Sequence, residues 1–243
     1  MEQSLKGQVA LVTGASSGFG AGMAKQLTKN GVIVFIIARR TEKLALVADE
    51  TGAIPITADI TKPEDWDLVF KEILEKEGRL DVLVNNAGNG GSIVQIEEQT
   101  DTAILNTIQT NLTSVIWGCK RAAAIMKNQK SGIIINISSV CAVKAWPDWS
   151  VYGAAKAGLE QFTRHLYVEL RPYGVKATIL RPSWGTTEFK EASQLEAFDR
   201  ETEKKVIQPE EIGNLVVDIC RIPAHLLVPE ISIYPMVQEI NPY

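Results

Sequence analysis

Thr13-Gly14-Ala15-Ser16-Ser17-Gly18-Phe19-Gly20 follows directly on the apolar run Val9-Ala10-Leu11-Val12. Three glycines at the end of a run that reads as a buried strand make sense where the backbone turns tightly and a ligand approaches main-chain N–H groups closely. The residues after them read as the first turns of a helix, whose N-terminal N–H groups carry partial positive charge and attract phosphate. The spacing is T-G-x-x-x-G-x-G. It is not G-x-G-x-x-G, because Met23 stands where the last glycine of that pattern falls.

Outward from this turn the chain alternates. Apolar, β-branched runs recur at 9–13, 32–37, 54–57, 82–85, 133–138, 177–180 and 231–234, and most are unbroken, as strands buried on both faces are. Helix-like segments lie between them. One opens with Thr61-Lys62-Pro63-Glu64, which reads as a capping box with proline in the first turn, and stops at Gly78. Another opens at Pro209-Glu210-Glu211. Parallel neighbours need crossovers, so the pattern predicts a doubly wound α/β fold of Rossmann type: a seven-stranded parallel sheet, helices on both faces, one domain. The polar stretch 183–208 reads as a lid over the substrate.

Composition excludes several classes. With 243 residues, 45% of them hydrophobic and 22% charged, the chain is ordinary globular material. A net charge of −4 and the absence of a long Lys/Arg run argue against a nucleic-acid face. No stretch of some eighteen apolar residues predicts a membrane span, and Met1 to Gly7 has no apolar signal core, so a cytoplasmic protein is expected. Three dispersed cysteines (Cys119, Cys141, Cys220) and two histidines predict neither a disulfide framework nor a metal site.

Further motifs stand in register with the glycine turn. Asn85-Asn86-Ala87-Gly88 follows the fourth strand, Asn111 lies inside a long helical segment, Ile137-Ser138-Ser139 follows the fifth strand, and Tyr152-Gly153-Ala154-Ala155-Lys156 comes next. In this order and spacing, from residue 6 to 237, the chain resembles the short-chain dehydrogenases/reductases, in their single-domain, NADP-preferring branch.

The chemistry follows from residue types. Hydride reduction of a carbonyl leaves negative charge on oxygen, so an acid must supply a proton and a donor must hold the oxyanion. Tyr152 is the expected acid, with Lys156 one helical turn on as the cation that lowers its pKa and binds the cofactor ribose. Ser139 is the expected oxyanion donor, with Ser138 as the alternative. The resemblance gives Asn111 the part of a proton relay through water. It also places Gly14, Ser16, Ser17, Gly18, Phe19 and Gly20 around the cofactor phosphates, Asp59 and Ile60 at the adenine, and Asn86, Ala87 and Gly88 along ribose and diphosphate. Pro182 and Thr187 go to the nicotinamide carboxamide, with Thr186 as the alternative. Ser183 and Gly185 depart from the family's usual Pro-Gly-aliphatic run.

Cofactor choice is read at the end of the second strand. A carboxylate there would bond a free ribose 2′-hydroxyl, but the chain reads Ala38-Arg39-Arg40, and guanidinium forks suit phosphate. NADP(H) is therefore expected, with Arg39 on the 2′-phosphate and Arg40 assisting or stacking on the adenine. The substrate is expected against 89–91, 140–150 and the 183–208 lid. Trp146, Trp149 and Trp184 suggest a hydrophobic or ring-bearing carbonyl, whereas Lys190 and Arg200 suggest an acidic one. Leu159, Phe162, Leu166 and Leu170 continue the Tyr152 helix as core or interface. The resemblance implies a homotetramer or a dimer. Two functional classes remain: a carbonyl/alcohol oxidoreductase, and a non-catalytic NADP(H)-binding sensor or scaffold.

Overall fold

Val9–Thr13 forms β1, and all five of its residues are buried. With β2 (Ile33–Ala38), β3 (Ile54–Thr57), β4 (Val82–Asn85), β5 (Gly132–Ile137), β6 (Val175–Pro182) and β7 (Glu230–Ile233), it builds one sheet in the order β3-β2-β1-β4-β5-β6-β7, parallel throughout. The computed structural model describes residues 4–193 and 196–239, apart from the side chains of Lys190 and Ala192. The inner strands are the unbroken apolar runs. β3 and β7 instead alternate between half-buried and exposed residues, because each has a neighbour on one side only. Pro55 in β3 is tolerated at such an edge, where its missing N–H interrupts no further ladder.

The crossovers carry α1 (Gly18–Lys29), α2 (Thr41–Thr51), α3 (Pro63–Glu77), α4 (Asp101–Ile108), α5 (Ser114–Gln129), α6 (Ser150–Leu170), the short α7 (Phe189–Ala192) and α8 (Arg200–Glu203), and α9 (Pro209–Arg221). Met23, Leu27, Ile212 and Val216 of α1 and α9 cover one face of the sheet. Trp66, Phe70, Cys119 and Met126 of α3 and α5 cover the other, together with Leu159, Leu166 and Leu170 of α6. Those three α6 leucines are therefore core, which leaves Phe162 half-buried at its margin. Burial also pushes the Cys119 and Cys220 thiols up to about 12. At that pKa they stay protonated at neutral pH.

Helix ends show where local signals hold and where they do not. Pro63 opens α3, and Gly78 ends it with φ of 68°. The capping box expected at Thr61 and Glu64 does not form. Lys62 is the N-cap, and the Thr61 hydroxyl instead donates to Asp59 at 2.8 Å. α9 has a capping box, made by Gln208 and Glu211. α1 and α9 cross at two glycines: a methyl group on Gly22 would overlap the Pro209 carbonyl, and one on Gly213 would overlap the Gly22 carbonyl.

The strand order reverses between β1 and β4, and the crevice beyond their carboxyl ends is where such sheets bind ligands. Part of the 183–208 segment, residues 183–185, 187–189 and 198, lines it. Its ends are zipped together by a parallel bridge between Gly185 and Ile207, with Thr186 N–H donating to Ile207 O at 2.9 Å and Ile207 N–H to Trp184 O at 3.0 Å. Among the described residues no helix is long and apolar enough to cross a membrane.

Candidate active site

The glycine turn, the ends of β2, β4 and β5, and the 183–208 segment enclose one cleft of about 910 Å³. That volume lies at the upper end of the range for ligand pockets. Gly14 and Gly18 take φ of 66° and 54°, the left-handed region in which a side chain is strained. A methyl group on Gly14 would also stand 2.6 Å from the Ala87 Cα. The turn is thus pressed against the end of β4. Thr13 pins it there: its hydroxyl accepts from the N–H groups of Asn86 (3.0 Å) and Ala87 (2.9 Å). The Asn86 amide donates back to Thr13 O at 2.9 Å. Thr13 opens the T-G-x-x-x-G-x-G pattern, but nothing in the sequence alone assigned it a part in the site. Asn85 faces away from the cleft and ties β4 to β5, donating to Asn136 at 2.8 Å.

At the exit of β2 the two arginines diverge. Arg39 is exposed near Asp59. Burial opposes the Asp59 charge, but the Thr61 N–H and hydroxyl, with Arg39 nearby, hold its carboxyl below the usual value. Arg40 turns to the glycine turn, 2.8 Å from the hydroxyls of both Ser16 and Ser17. It also pairs with Glu188 at 2.5 Å, and Lys43 holds the other oxygen of that carboxylate at 2.6 Å. Glu188 was not anticipated from the sequence.

The reactive group gathers at the ends of β5 and α6. Tyr152 and Lys156 are 6% and 4% exposed. The Lys156 ammonium donates to Ile137 O at 2.9 Å and lies 5.8 Å from the centre of the Tyr152 ring. Ser139 is within hydrogen-bonding reach of the Tyr152 phenol and accepts from Cys141 N–H at 3.2 Å. Ser138 is committed elsewhere, donating to buried Glu160 at 2.6 Å, itself paired with Arg181. Of the two serines, only Ser139 has its hydroxyl turned to the tyrosine. Asn111 sits in a π turn, Gln109–Thr113, between α4 and α5. Its amide donates to Asn89 O at 2.8 Å and Thr107 O at 3.0 Å, while its buried Oδ1 has no protein partner. That oxygen faces Gly88, whose added methyl group would lie 2.7 Å from it and 3.5 Å from the Lys156 nitrogen.

Burial governs both titrations. It pushes the Tyr152 phenol up, against the hydrogen bond with Ser139, and pulls Lys156 down to about 8. Burial is the largest influence on the phenol, and the Lys156 ammonium beside it is held on the Ile137 carbonyl. A neutral phenol retains a proton to donate. For stability the sign is definite. Lys156 has a folded pKa near 8 against 10.5 unfolded, so between these values the unfolded chain binds more protons and stability rises with pH. Lys156→Met is therefore expected to raise Tm at pH 7, with an advantage that shrinks as pH climbs from 8 to 10. Thermal unfolding of both proteins across that range measures it, and parallel Tm profiles would contradict it.

Above this group stands an aromatic wall. Trp149 stacks on Phe189 (6.3 Å between ring centres, 10° between planes), and both pack on Tyr152, at 5.5 and 5.6 Å. Trp146 lines the cleft, and Trp184 packs on Phe198 at 5.4 Å. Phe189 and Phe198 are among the few large apolar residues of a mostly polar stretch, a signal that could have located them. Arg200 lies on α8, outside the cleft lining, and the Lys190 side chain lies outside the described residues. Thr187 rests on the glycine turn, 3.1 Å from where a Gly18 methyl group would be, whereas Thr186 turns out to Glu203 O and Gln208. Ser183 keeps an ordinary negative φ, so its position has no need of glycine. Its hydroxyl instead bonds Gln238 of the C-terminal segment, which also lines the cleft. Gly185 lies against the edge of the Phe19 ring, which a methyl group there would displace.

The glycine cradle, whose turn a Cβ would fill, suits a dinucleotide diphosphate, and comparison with known proteins agrees. The short chain dehydrogenase family model matches residues 8–197. An uncharacterised oxidoreductase of Staphylococcus epidermidis is 31% identical over 237 residues, 96% of this chain and 99% of that one. Among solved structures, a metagenomic short-chain oxidoreductase in complex with NADP superposes with a TM-score of 0.84 at 29% identity, covering 97% of this chain and 100% of the other. The 3-ketoacyl-(acyl-carrier-protein) reductase of Brucella melitensis, complexed with NADH, gives 0.87 at 28%, covering 95% and 98%. With the family model matching most of its length and a relative 31% identical along nearly all of it, the chain belongs to the short-chain dehydrogenase family of oxidoreductases.

Proposed function

We propose that the protein is an NADPH-dependent reductase of hydrophobic, ring-bearing ketones or aldehydes, or the corresponding alcohol dehydrogenase in reverse. The observation that carries this reading is the convergence of Ser139, Tyr152 and Lys156 beneath the Trp149–Phe189 stack. NADPH would supply the hydride. Its diphosphate fits the turn from Gly14 to Gly20, its adenine the Asp59–Ile60 edge, its riboses Asn86 to Gly88 and the Tyr152–Lys156 side, and its carboxamide Pro182 and Thr187. Ser139 donates to the substrate carbonyl and steadies the growing oxyanion, while Tyr152 gives that oxygen its proton. Lys156 orients the ribose and lowers the cost of the phenolate left behind; Asn111 holds the relay that returns a proton to it.

The absence of an acid at the β2 exit, and the two guanidiniums there, support NADPH over NADH. The aromatic wall supports a ring-bearing substrate over an acidic one. The expected location is the cytoplasm, in keeping with three unpaired thiols, and the expected assembly a homotetramer.

The test is the loss of NADPH absorbance over a panel of aromatic, steroid-like, short aliphatic and carboxylate-bearing carbonyls. The aromatic members should give the highest kcat/KM; a preference for carboxylates would overturn the substrate assignment. In the same assay Arg39→Asp should shift the NADPH/NADH ratio of kcat/KM toward NADH by one or more factors of ten, since it replaces attraction for a phosphate by repulsion. An unaltered ratio would remove Arg39 from the phosphate site.

A further inference from the structure

Arg40 at the β2 exit and Lys43 just after it are already paired within the chain. Glu188 accepts from three elements at once: from the Ser17 hydroxyl at 2.9 Å in the glycine turn, from Arg40 at 2.5 Å after β2, and from Lys43 at 2.6 Å in the first turn of α2. These bonds, Lys43 foremost, hold its carboxyl near 2, so the charge persists at all physiological pH. Its two neighbours reach the rest of the site. Thr187 rests on the glycine turn, and Phe189 packs on Tyr152 and Trp149. Three consecutive residues thus touch the phosphate end, the turn and the catalytic tyrosine.

We infer that Glu188 is the residue that sets how strongly this protein discriminates the cofactor's 2′-phosphate, by competing with that phosphate for Arg40 and Lys43. The inference rests on the NADPH reading above and adds a term to it. A phosphate monoester carries about −1.5 to −2 charge at pH 7 against −1 for a carboxylate, so it can displace Glu188 from both cations. Two anions cannot share the site without repulsion. A cofactor without the phosphate presents a hydroxyl and leaves the latch closed. Exchange of partners at Arg40 therefore frees the backbone between Thr187 and Phe189 when, and only when, a 2′-phosphate arrives. Phosphate recognition is in this way tied to the wall over Tyr152.

The measurement is binding by titration calorimetry of adenosine 2′,5′-bisphosphate and of AMP to wild type and to Glu188→Gln, a conservative change at a partly exposed side chain. Glu188→Gln should bind the bisphosphate roughly 5- to 150-fold more tightly, the span usual for coupled sites, with AMP unchanged. Hydrogen exchange in residues 185–190 of the wild type should quicken with the bisphosphate and not with AMP. Unchanged or weaker bisphosphate binding by Glu188→Gln overturns the competition, and equal tightening for both ligands overturns the selectivity for phosphate. A wild type that binds AMP as well as the bisphosphate would instead sink the NADPH reading itself, which distinguishes the two failures.

Discussion

Tyr152→Phe is expected to reduce carbonyl turnover by roughly 10²- to 10⁴-fold while leaving NADPH affinity within a few-fold. The substitution removes one hydroxyl and keeps the ring that packs on Trp149 and Phe189. The wall and the cleft should therefore survive, and the lost factor is that of a general acid. A phenol whose pKa burial raises still carries its proton at neutral pH, so the acid form is the resting one. Single-turnover oxidation of bound NADPH, followed by absorbance beside an NADPH titration, separates chemistry from binding. Retained turnover would assign the proton to another donor. Wild type that binds NADPH and reduces nothing across the carbonyl panel would favour the non-catalytic sensor.

The second large effect is on stability. In an exposed helix Gly→Ala usually stabilises, by about 1 kcal/mol. At Gly22 the sign is expected to reverse, because the new methyl group would overlap the Pro209 carbonyl, and backbone cannot give way as a flexible side chain can. Forcing two packed helices apart costs about 3 kcal/mol, which exceeds the propensity gain. For a chain of this size the net loss corresponds to a fall in Tm of several degrees. Thermal unfolding of Gly22→Ala decides the matter, and a rise in Tm would mean that α1 and α9 do not touch at this point.

The parts legible in the sequence were those whose cause is local or periodic. The inner strands are unbroken apolar runs because both faces are covered, and the T-G-x-x-x-G-x-G turn needs its positive-φ glycines wherever it occurs. Tyr152 and Lys156 are one helical turn apart, a spacing that chain geometry fixes. What stayed hidden depends on residues far apart in the chain. Glu188 meets Ser17 across 171 positions and Arg40 across 148, and no periodicity marks such a pair. The choice between Ser138 and Ser139 was likewise not local, since it turns on Glu160, buried 22 residues further on. Thr61 shows the reverse error: a sound local signal for a helix cap was overridden by a carboxylate two residues back.

The crossing of α1 and α9 has a consequence for how substrate preference can diverge in this protein. The segment that on the proposed reading walls the substrate leaves the sheet at Pro182 and rejoins the body at Pro209, and the latter is clamped on Gly22, within the helix that follows the glycine turn. Both anchor points therefore belong to the same rigid frame as the cofactor cradle. Between them, the chain after Phe189 and before Val206 can be rewritten in length and side chain, with Thr187, Glu188 and Phe189 kept in their contacts with the glycine turn, Arg40 and Tyr152. New substrates can thus be admitted by altering one excursion of the chain, while the geometry between hydride donor and tyrosine is inherited unchanged.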